Sequence, residues 1–232
     1  MHVCLTIDFE SDCPPFLQGW RGASQGMPRL LDLLDAEAVP TTVFSTGEAA
    51  QRFGSVIERL VEGGHELGCH GHTHAAFPGL SEAEAEWEIE TSSTLLRSFA
   101  PVTSFRAPNL RFPPKYLPIL ERHGFTVDSS QGSYKPREWG RRPAVTTLRR
   151  LPASMTSSVL RAPPALRDRV LGALRSPVVL FVHPWEFVDL TRENIRWDCR
   201  FRTGEPALRS VREVIRFYRD RDARFLRTGE LG

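Results

Sequence analysis

Short apolar or β-branched runs alternate along the chain with stretches of helical periodicity. VCLTI (Val3–Ile7) reads as a buried strand, and Pro28–Ala38 carries Leu30, Leu31 and Leu34 on one helical face. TTVFST (Thr41–Thr46) predicts a second strand, and Glu48–Glu62 predicts one helix closed by Gly63 and Gly64. HELGCH (His65–His70) is a third strand. Ser81 and Glu84 make a capping-box pair at the head of a helix that runs to Phe99. VTSF (Val102–Phe105) and FTVDSS (Phe125–Ser130) are strands on either side of a helix over Pro114–His123, which Gly124 stops. VVLFVH (Val178–His183) is the clearest buried strand. A last helix over Glu205–Asp220 shows Leu208, Val211, Ile215 and Tyr218 at helical spacing, and ARFL (Ala223–Leu226) ends the chain as a strand. Ser11–Gly26 and Gln131–Pro164 read as irregular, the second with one strand near Thr147–Leu151.

This alternation predicts a parallel sheet with helices outside it. At roughly 30 residues per strand–helix unit the length suits about seven units, which favours a barrel-like α/β domain over an open doubly wound sheet. The phosphate-binding signatures GxGxxG and GxxxxGK[ST] are missing, and no linker or repeat divides the chain, so residues 1–232 read as one domain.

Composition narrows the class. With 41% hydrophobic and 25% charged residues and a net charge of +2, the chain is neither a disulfide scaffold, a fibre nor a disordered tail. No stretch approaches the ~18 apolar residues of a membrane span. MHVCLTIDFESD has no basic start, apolar core or cleavage site of a secretion signal, which makes the cytoplasm the expected location. Of the thirty basic residues only Lys115 and Lys135 are lysines, and the C-terminal arginines alternate with acids. That pattern is a solvated helix face, so no nucleic-acid partner is expected. Cys4, Cys13, Cys69 and Cys199 have no C-x-x-C spacing and read as free thiols, with Cys69 an alternative metal ligand beside the histidine cluster.

Chemistry in parallel α/β folds collects at the carboxyl ends of strands. There this sequence places Asp8 and Glu10, then His70, His72 and His74, then Arg106, Asp128, and His183 with Glu186. In H65-E-L-G-C-H70-G-H72-T-H74, Gly71 favours a turn leaving the strand. His70 and His74 then form the ligand pair, His72 points elsewhere, and His65 lies on the far rim as a structural residue. Two imidazoles and one carboxylate leave open positions on a metal, as hydrolytic zinc sites need. Asp8 and Glu10, two apart on a strand, face the same way, so one can coordinate while the other serves as base.

T-I-D-F-E, H-G-H-T-H, F-R-A-P, V-D-S-S and F-V-H-P-W-E, in that order from about Cys4 to Phe187, resemble the polysaccharide deacetylases, carbohydrate esterase family 4. The resemblance implies a single-domain distorted (β/α)7 barrel and hydrolysis of N-acetyl groups on an amino sugar. It implies one divalent metal, zinc first, with cobalt, nickel or manganese as alternatives. Position by position it implies Asp8 as base, His183 as general acid, Arg106 orienting the base, and His70 and His74 as ligands. The commonest first motif has a metal-binding aspartate where this chain has Phe9, so the third ligand falls to Glu10, as in the D-x-E branch; the roles of Asp8 and Glu10 can also be exchanged. A backbone N–H near Asn109 would face the oxyanion. Asp128 and Glu186 are candidate partners of His183, and Glu186 reads equally as a structural acceptor. Trp20, Trp139 and Trp185 are candidate sugar-stacking platforms or packing residues. The same barrel would serve a non-sugar amide or cyclic imide. An iron(II) oxygenase shares the ligand set but sits on antiparallel barrels, and a silent sugar-binding domain would have lost Asp8, Arg106 or His183.

Overall fold

The structure is a computed structural model and describes residues 1–136 and 144–231. Its strands are β1 (His2–Phe9), β2 (Thr41–Ser45), β3 (Glu66–Cys69), β4 (Ser104–Phe105), β5 (Val127–Asp128), β6 (Arg149–Arg150), β7 (Val178–Val182) and β8 (Arg224–Phe225). All pair in parallel, in the order β6-β5-β4-β3-β2-β1-β7, with β8 added beside β1. The helices are α1 (Met27–Ala36), α2 (Gly47–Arg52), α3 (Gly54–Glu62), α4 (Glu82–Arg97), α5 (Leu117–Arg122), α6 (Ser157–Leu160), α7 (Pro164–Gly172), α8 (Trp197–Arg200) and α9 (Glu205–Arg219).

Strand β1 shows why the sheet curls into a barrel. Successive side chains of a strand point to opposite faces, and here both faces are buried. Val3, Leu5, Ile7 and Phe9 belong to the large apolar cluster shared with the helices. Cys4 instead joins Val127, Leu151, Val179 and Leu226 in a separate inner cluster. A strand covered on both sides reads as a continuous apolar run, which is what VCLTI is. The expected distorted barrel is therefore present, as a curled parallel sheet whose ladder stays open between β6 and β7. Ser154 spans that gap: its amide donates to the Val179 carbonyl at 2.8 Å, and its hydroxyl accepts the Val179 amide at 2.9 Å.

Three local expectations are corrected. The helix read over Glu48–Glu62 is two helices, broken at Phe53 (φ −128°, ψ 46°). The Phe53 ring turns inward against Phe9 and Trp20, so tertiary packing overrides a continuous helical pattern. The Ser11–Gly26 stretch ends in a wide helical turn, Gly22–Gly26, that runs into α1. Asp12 stabilises its start by accepting the Arg21 and Gly22 amides at 2.8 and 2.7 Å. The Gln131–Pro164 stretch holds β6, as expected, but also α6 and the first residue of α7. The Ser81–Glu84 capping box forms as read.

The Gly22–Gly26 turn lies directly on Pro184–Phe187, the segment that follows β7. A Cβ at Gly26 would overlap the Pro184 carbonyl oxygen, and one at Gly22 would stand 2.5 Å from the Trp185 amide nitrogen. Gly26→Ala should therefore lower unfolding free energy by ~1–3 kcal/mol in denaturant titration, the usual cost of overpacking. Gly79→Ala, where a Cβ meets nothing within 4 Å, should stay within about 0.5 kcal/mol of the parent.

Candidate active site

The inward parity of β1 carries one step past its end. Asp8 and Glu10 face the barrel mouth, while Phe9 between them packs outward against the helices. Both carboxylates are buried, and each has its own partners. Asp8 Oδ1 accepts from Arg106 Nη1 at 2.7 Å. Arg106, at the end of β4, is fully buried and held through both of its terminal nitrogens. It donates to the Thr6 hydroxyl at 2.7 Å and to the Ser129 hydroxyl at 2.9 Å, and lies over the Phe44 ring at 4.3 Å. The pair is fixed in place, and Asp8 Oδ2 is left on the cavity side.

Glu10 meets the histidines that leave β3. Its Oε2 lies 3.3 Å from His70 Nε2 and 2.7 Å from His74 Nε2. His70 Nδ1 sits 2.7 Å from the Arg106 carbonyl oxygen, a contact made by a protonated Nδ1, which leaves the Nε2 lone pair pointing at the cluster. Burial pushes the Glu10 carboxyl up, but the His74 charge, the His74 hydrogen bond and the close His70 imidazole outweigh it and hold the group well below the usual range. Burial likewise pulls His74 down, and Glu10 more than reverses this. One ligand atom from each of Glu10, His70 and His74 lies within 4.8 Å of the others. Two nitrogens and one oxygen, convergent, buried at Glu10 and His70 and half-buried at His74, with one tautomer fixed by a backbone carbonyl, are a donor set suited to a divalent transition metal with open positions.

The neighbouring candidates point away. His72 lies edge-on to Trp87 at 5.2 Å. The Cys69 thiol donates to the Ser92 hydroxyl at 3.4 Å and is not a ligand. His65, buried at the start of β3, lies 3.7 Å from Asp35, and burial lowers its pKa.

His183 enters from the end of β7. Its Nδ1 donates to Glu186 Oε1 at 2.8 Å, and its Nε2 faces Asp8 Oδ2 at 4.0 Å and Glu10 Oε1 at 3.9 Å. Burial pulls the imidazole down, but the Glu186 hydrogen bond and the Glu10, Glu186 and Asp8 charges raise it to about 9. The other Glu186 oxygen pairs with Arg161 Nε at 2.8 Å. Arg161, just past α6, is buried and also donates to the Asp198, Cys199 and Phe201 carbonyls. Sequence reasoning missed it, because nothing in its local pattern separates it from the other arginines.

Asp128, read as a possible partner of His183, does not take that place. It pairs with Arg150 at 2.6 Å and accepts the Ser130 amide, and its carboxyl is raised by burial despite the arginine. Trp185 stacks on His183 at 4.7 Å and is 5% exposed, too little to serve as a sugar platform; its indole N–H reaches Glu10 Oε1 at 3.4 Å. Trp20 packs on Phe53 away from the cavity, and Trp139 lies outside the described residues. Asn109 lines the cavity in a left-handed turn (φ 59°), and its carbonyl accepts Lys135 Nζ at 2.7 Å.

Asp8, Glu10, His70, His74 and His183 thus share one cavity of about 510 Å³. Phe16, 47% exposed, stands at its lining as an open aromatic face that sequence reading passed over. The arrangement sets a donor group that could hold a divalent metal between a fixed carboxylate and an imidazole whose pKa its acidic neighbours raise. No helix among the described residues is long and apolar enough to cross a membrane.

The polysaccharide deacetylase family profile matches residues 2–127. A peptidoglycan deacetylase of Helicobacter pylori is 32% identical over 108 residues, 45% of this chain and 36% of that protein. A chitooligosaccharide deacetylase of Sinorhizobium fredii is 28% identical over 162 residues, 67% of this chain and 64% of that protein. These matches span less than two thirds of either relative. The solved structure of a putative polysaccharide deacetylase from Mycobacterium smegmatis superposes with a TM-score of 0.71 at 20% identity, over 99% of this chain and 88% of that one, which establishes the shared fold.

The Arg161–Glu186 pair yields a stability prediction. Arg161→Met would leave Glu186 buried with its charge uncompensated on one side, and should cost about 3–5 kcal/mol in denaturant unfolding. A change below 1 kcal/mol would show that the pair bears no such strain.

Proposed function

The chain belongs to the polysaccharide deacetylase family, and from that premise we propose that it is a metal-dependent hydrolase removing N-acetyl or N-formyl groups from an amino sugar of a glycan, glycolipid or glycoside. The observation that carries the reading is the joint convergence of Asp8–Arg106 and His183–Glu186–Arg161 on the cavity beside Glu10, His70 and His74. Its relatives are named as deacetylases of peptidoglycan and chitooligosaccharide, which favours an N-acetylglucosamine-type substrate.

Glu10, His70 and His74 would hold the metal, in the D-x-E arrangement with Asp8 as the free carboxylate. A bound divalent ion supplies polarisation of the acetamide carbonyl and acidification of water. Asp8 Oδ2 then takes the proton from the attacking water, while Arg106 pins Oδ1 and so sets the direction of the acceptor lone pair. The Asn109 amide, turned by its left-handed backbone, donates to the oxygen on which negative charge develops. His183 Nε2 gives its proton to the departing amine, which otherwise would leave as an anion. Glu186 keeps that imidazole charged and its ring oriented, and Arg161 holds Glu186. At the lining, the open face of Phe16 suits the apolar face of a pyranose ring.

Acetate release from a panel of N-acetylated sugars, free and lipid-linked, with zinc, cobalt or chelator, tests the reading. Asp8→Asn and His183→Ala should each lower turnover by ~10²-fold or more with metal still bound, and His70→Ala should lose the ion. Full activity in Asp8→Asn would remove the proposed base. The acid role also fixes a pH dependence. The imidazolium is the active form, so kcat should fall as pH rises through the His183 pKa, which the Glu186 hydrogen bond holds above the ordinary histidine range. Glu186→Gln removes the hydrogen-bonded charge that raises His183, and should move this alkaline limb toward the ordinary histidine range. An unmoved limb would assign it to another group.

A further inference from the structure

Glu88, on α4, is buried in the helix face turned toward the histidine loop. Its carboxylate is occupied entirely by that loop. Oε2 accepts the His72 amide at 2.6 Å and the Thr73 amide at 3.0 Å, and Oε1 accepts the Thr73 hydroxyl. These donors are the residues between His70 and His74. The carbonyls of the same turn go the other way: Gly71 accepts the Gly47 amide at 3.0 Å and His72 accepts the Glu48 amide at 3.1 Å, both from the start of α2. Gly71 (φ 77°) gives the chain room to wrap the carboxylate, since a Cβ there would lie 3.1 Å from Glu88 Oε2.

The turn is therefore clamped on two sides, and its ends are the two imidazoles that meet Glu10. His74 itself sits at φ 65°, a conformation that an unheld loop of L-residues rarely keeps. We infer that Glu88 is a positioning residue of the metal site: it collects the N–H and hydroxyl donors of the Gly71–Thr73 turn and so presets the spacing of His70 and His74 for a divalent cation. The inference rests on the reading of Glu10, His70 and His74 as metal ligands. It assigns Glu88 no contact with substrate or ion. Without the carboxylate, two amides and a hydroxyl lose their shared acceptor, the turn relaxes, and each binding event must first reorder it.

Zinc titration of the metal-free protein against a chromophoric competing chelator tests this, with melting of the metal-free protein recorded in parallel. Glu88→Gln keeps the shape but removes the negative charge from the acceptor that two amides and a hydroxyl share, and should weaken zinc binding about 10- to 100-fold. Turnover at saturating zinc should recover to within about threefold of the parent, since reordering is then complete. Thr73→Val should weaken binding by about threefold or more through loss of one hydrogen bond to a charged group, and Thr73→Ser should restore it. Zinc affinity unchanged in Glu88→Gln, even with a lower melting temperature, overturns the inference, because Glu88 would then only support the fold. Should Glu88→Gln fail to fold, equal affinities of the Thr73→Val and Thr73→Ser proteins overturn it instead. The failure of the underlying metal reading looks different: the unaltered protein would bind zinc no better than His70→Ala.

Discussion

Two carboxylates buried side by side at the mouth of a barrel cannot both stay ionised unless each is compensated on its own. That requirement organises the rest of the site. Asp8 receives a guanidinium from β4, and Glu10 receives two imidazoles from the loop after β3. The division leaves them unequal in chemistry. Asp8 keeps one oxygen toward the cavity, whereas Glu10 has one oxygen turned to the histidines and the other toward Trp185 and His183. The strand sets this up before any of the partners arrive, because Asp8 and Glu10 share an inward parity that Phe9 does not.

The same solution recurs with different donors. Glu186 is satisfied by His183 and Arg161, and Glu88 by the amides and hydroxyl of a turn. Each buried acid ties separate elements together at the barrel mouth: Asp8 joins β1 to the end of β4, Glu88 joins α4 to the histidine turn, and Glu186 joins the segment after β7 to the end of α6. Charge compensation and positioning are thus one operation. The buried arginines suit it because a guanidinium offers several donors in a fixed plane, so Arg161 can hold a carboxylate and three carbonyls at once.

Much of this was legible in the residues. Two-sided burial makes β1 and β7 continuous apolar runs, and the polar residues that interrupt them at Asp8 and His183 mark the functional rim. The Gly71 turn sends His70 and His74 toward Glu10 and His72 toward Trp87. What the sequence hid were partners distant along the chain. Arg161, in a stretch read as irregular, and Glu88, on a predicted helix, look like surface charges, and only folding brings them within 3 Å of Glu186 and the His72 amide. Asp128 failed for the converse reason: its place at a strand end suggested the cavity, but Arg150 on the next strand claims it. The Glu48–Glu62 break was invisible because Phe53 fits a helical pattern and leaves it only to meet Phe9.

The chemistry proposed for the barrel mouth depends on where a cation sits. Anomalous diffraction at the zinc edge from crystals grown with zinc addresses this directly. The prediction is one dominant peak, bonded to His70 Nε2, His74 Nε2 and a Glu10 carboxylate oxygen at about 2.0–2.2 Å, with Asp8 and His183 nearby but uncoordinated. A peak ligated by Asp8 in place of Glu10, or zinc bound only elsewhere on the molecule, would contradict it.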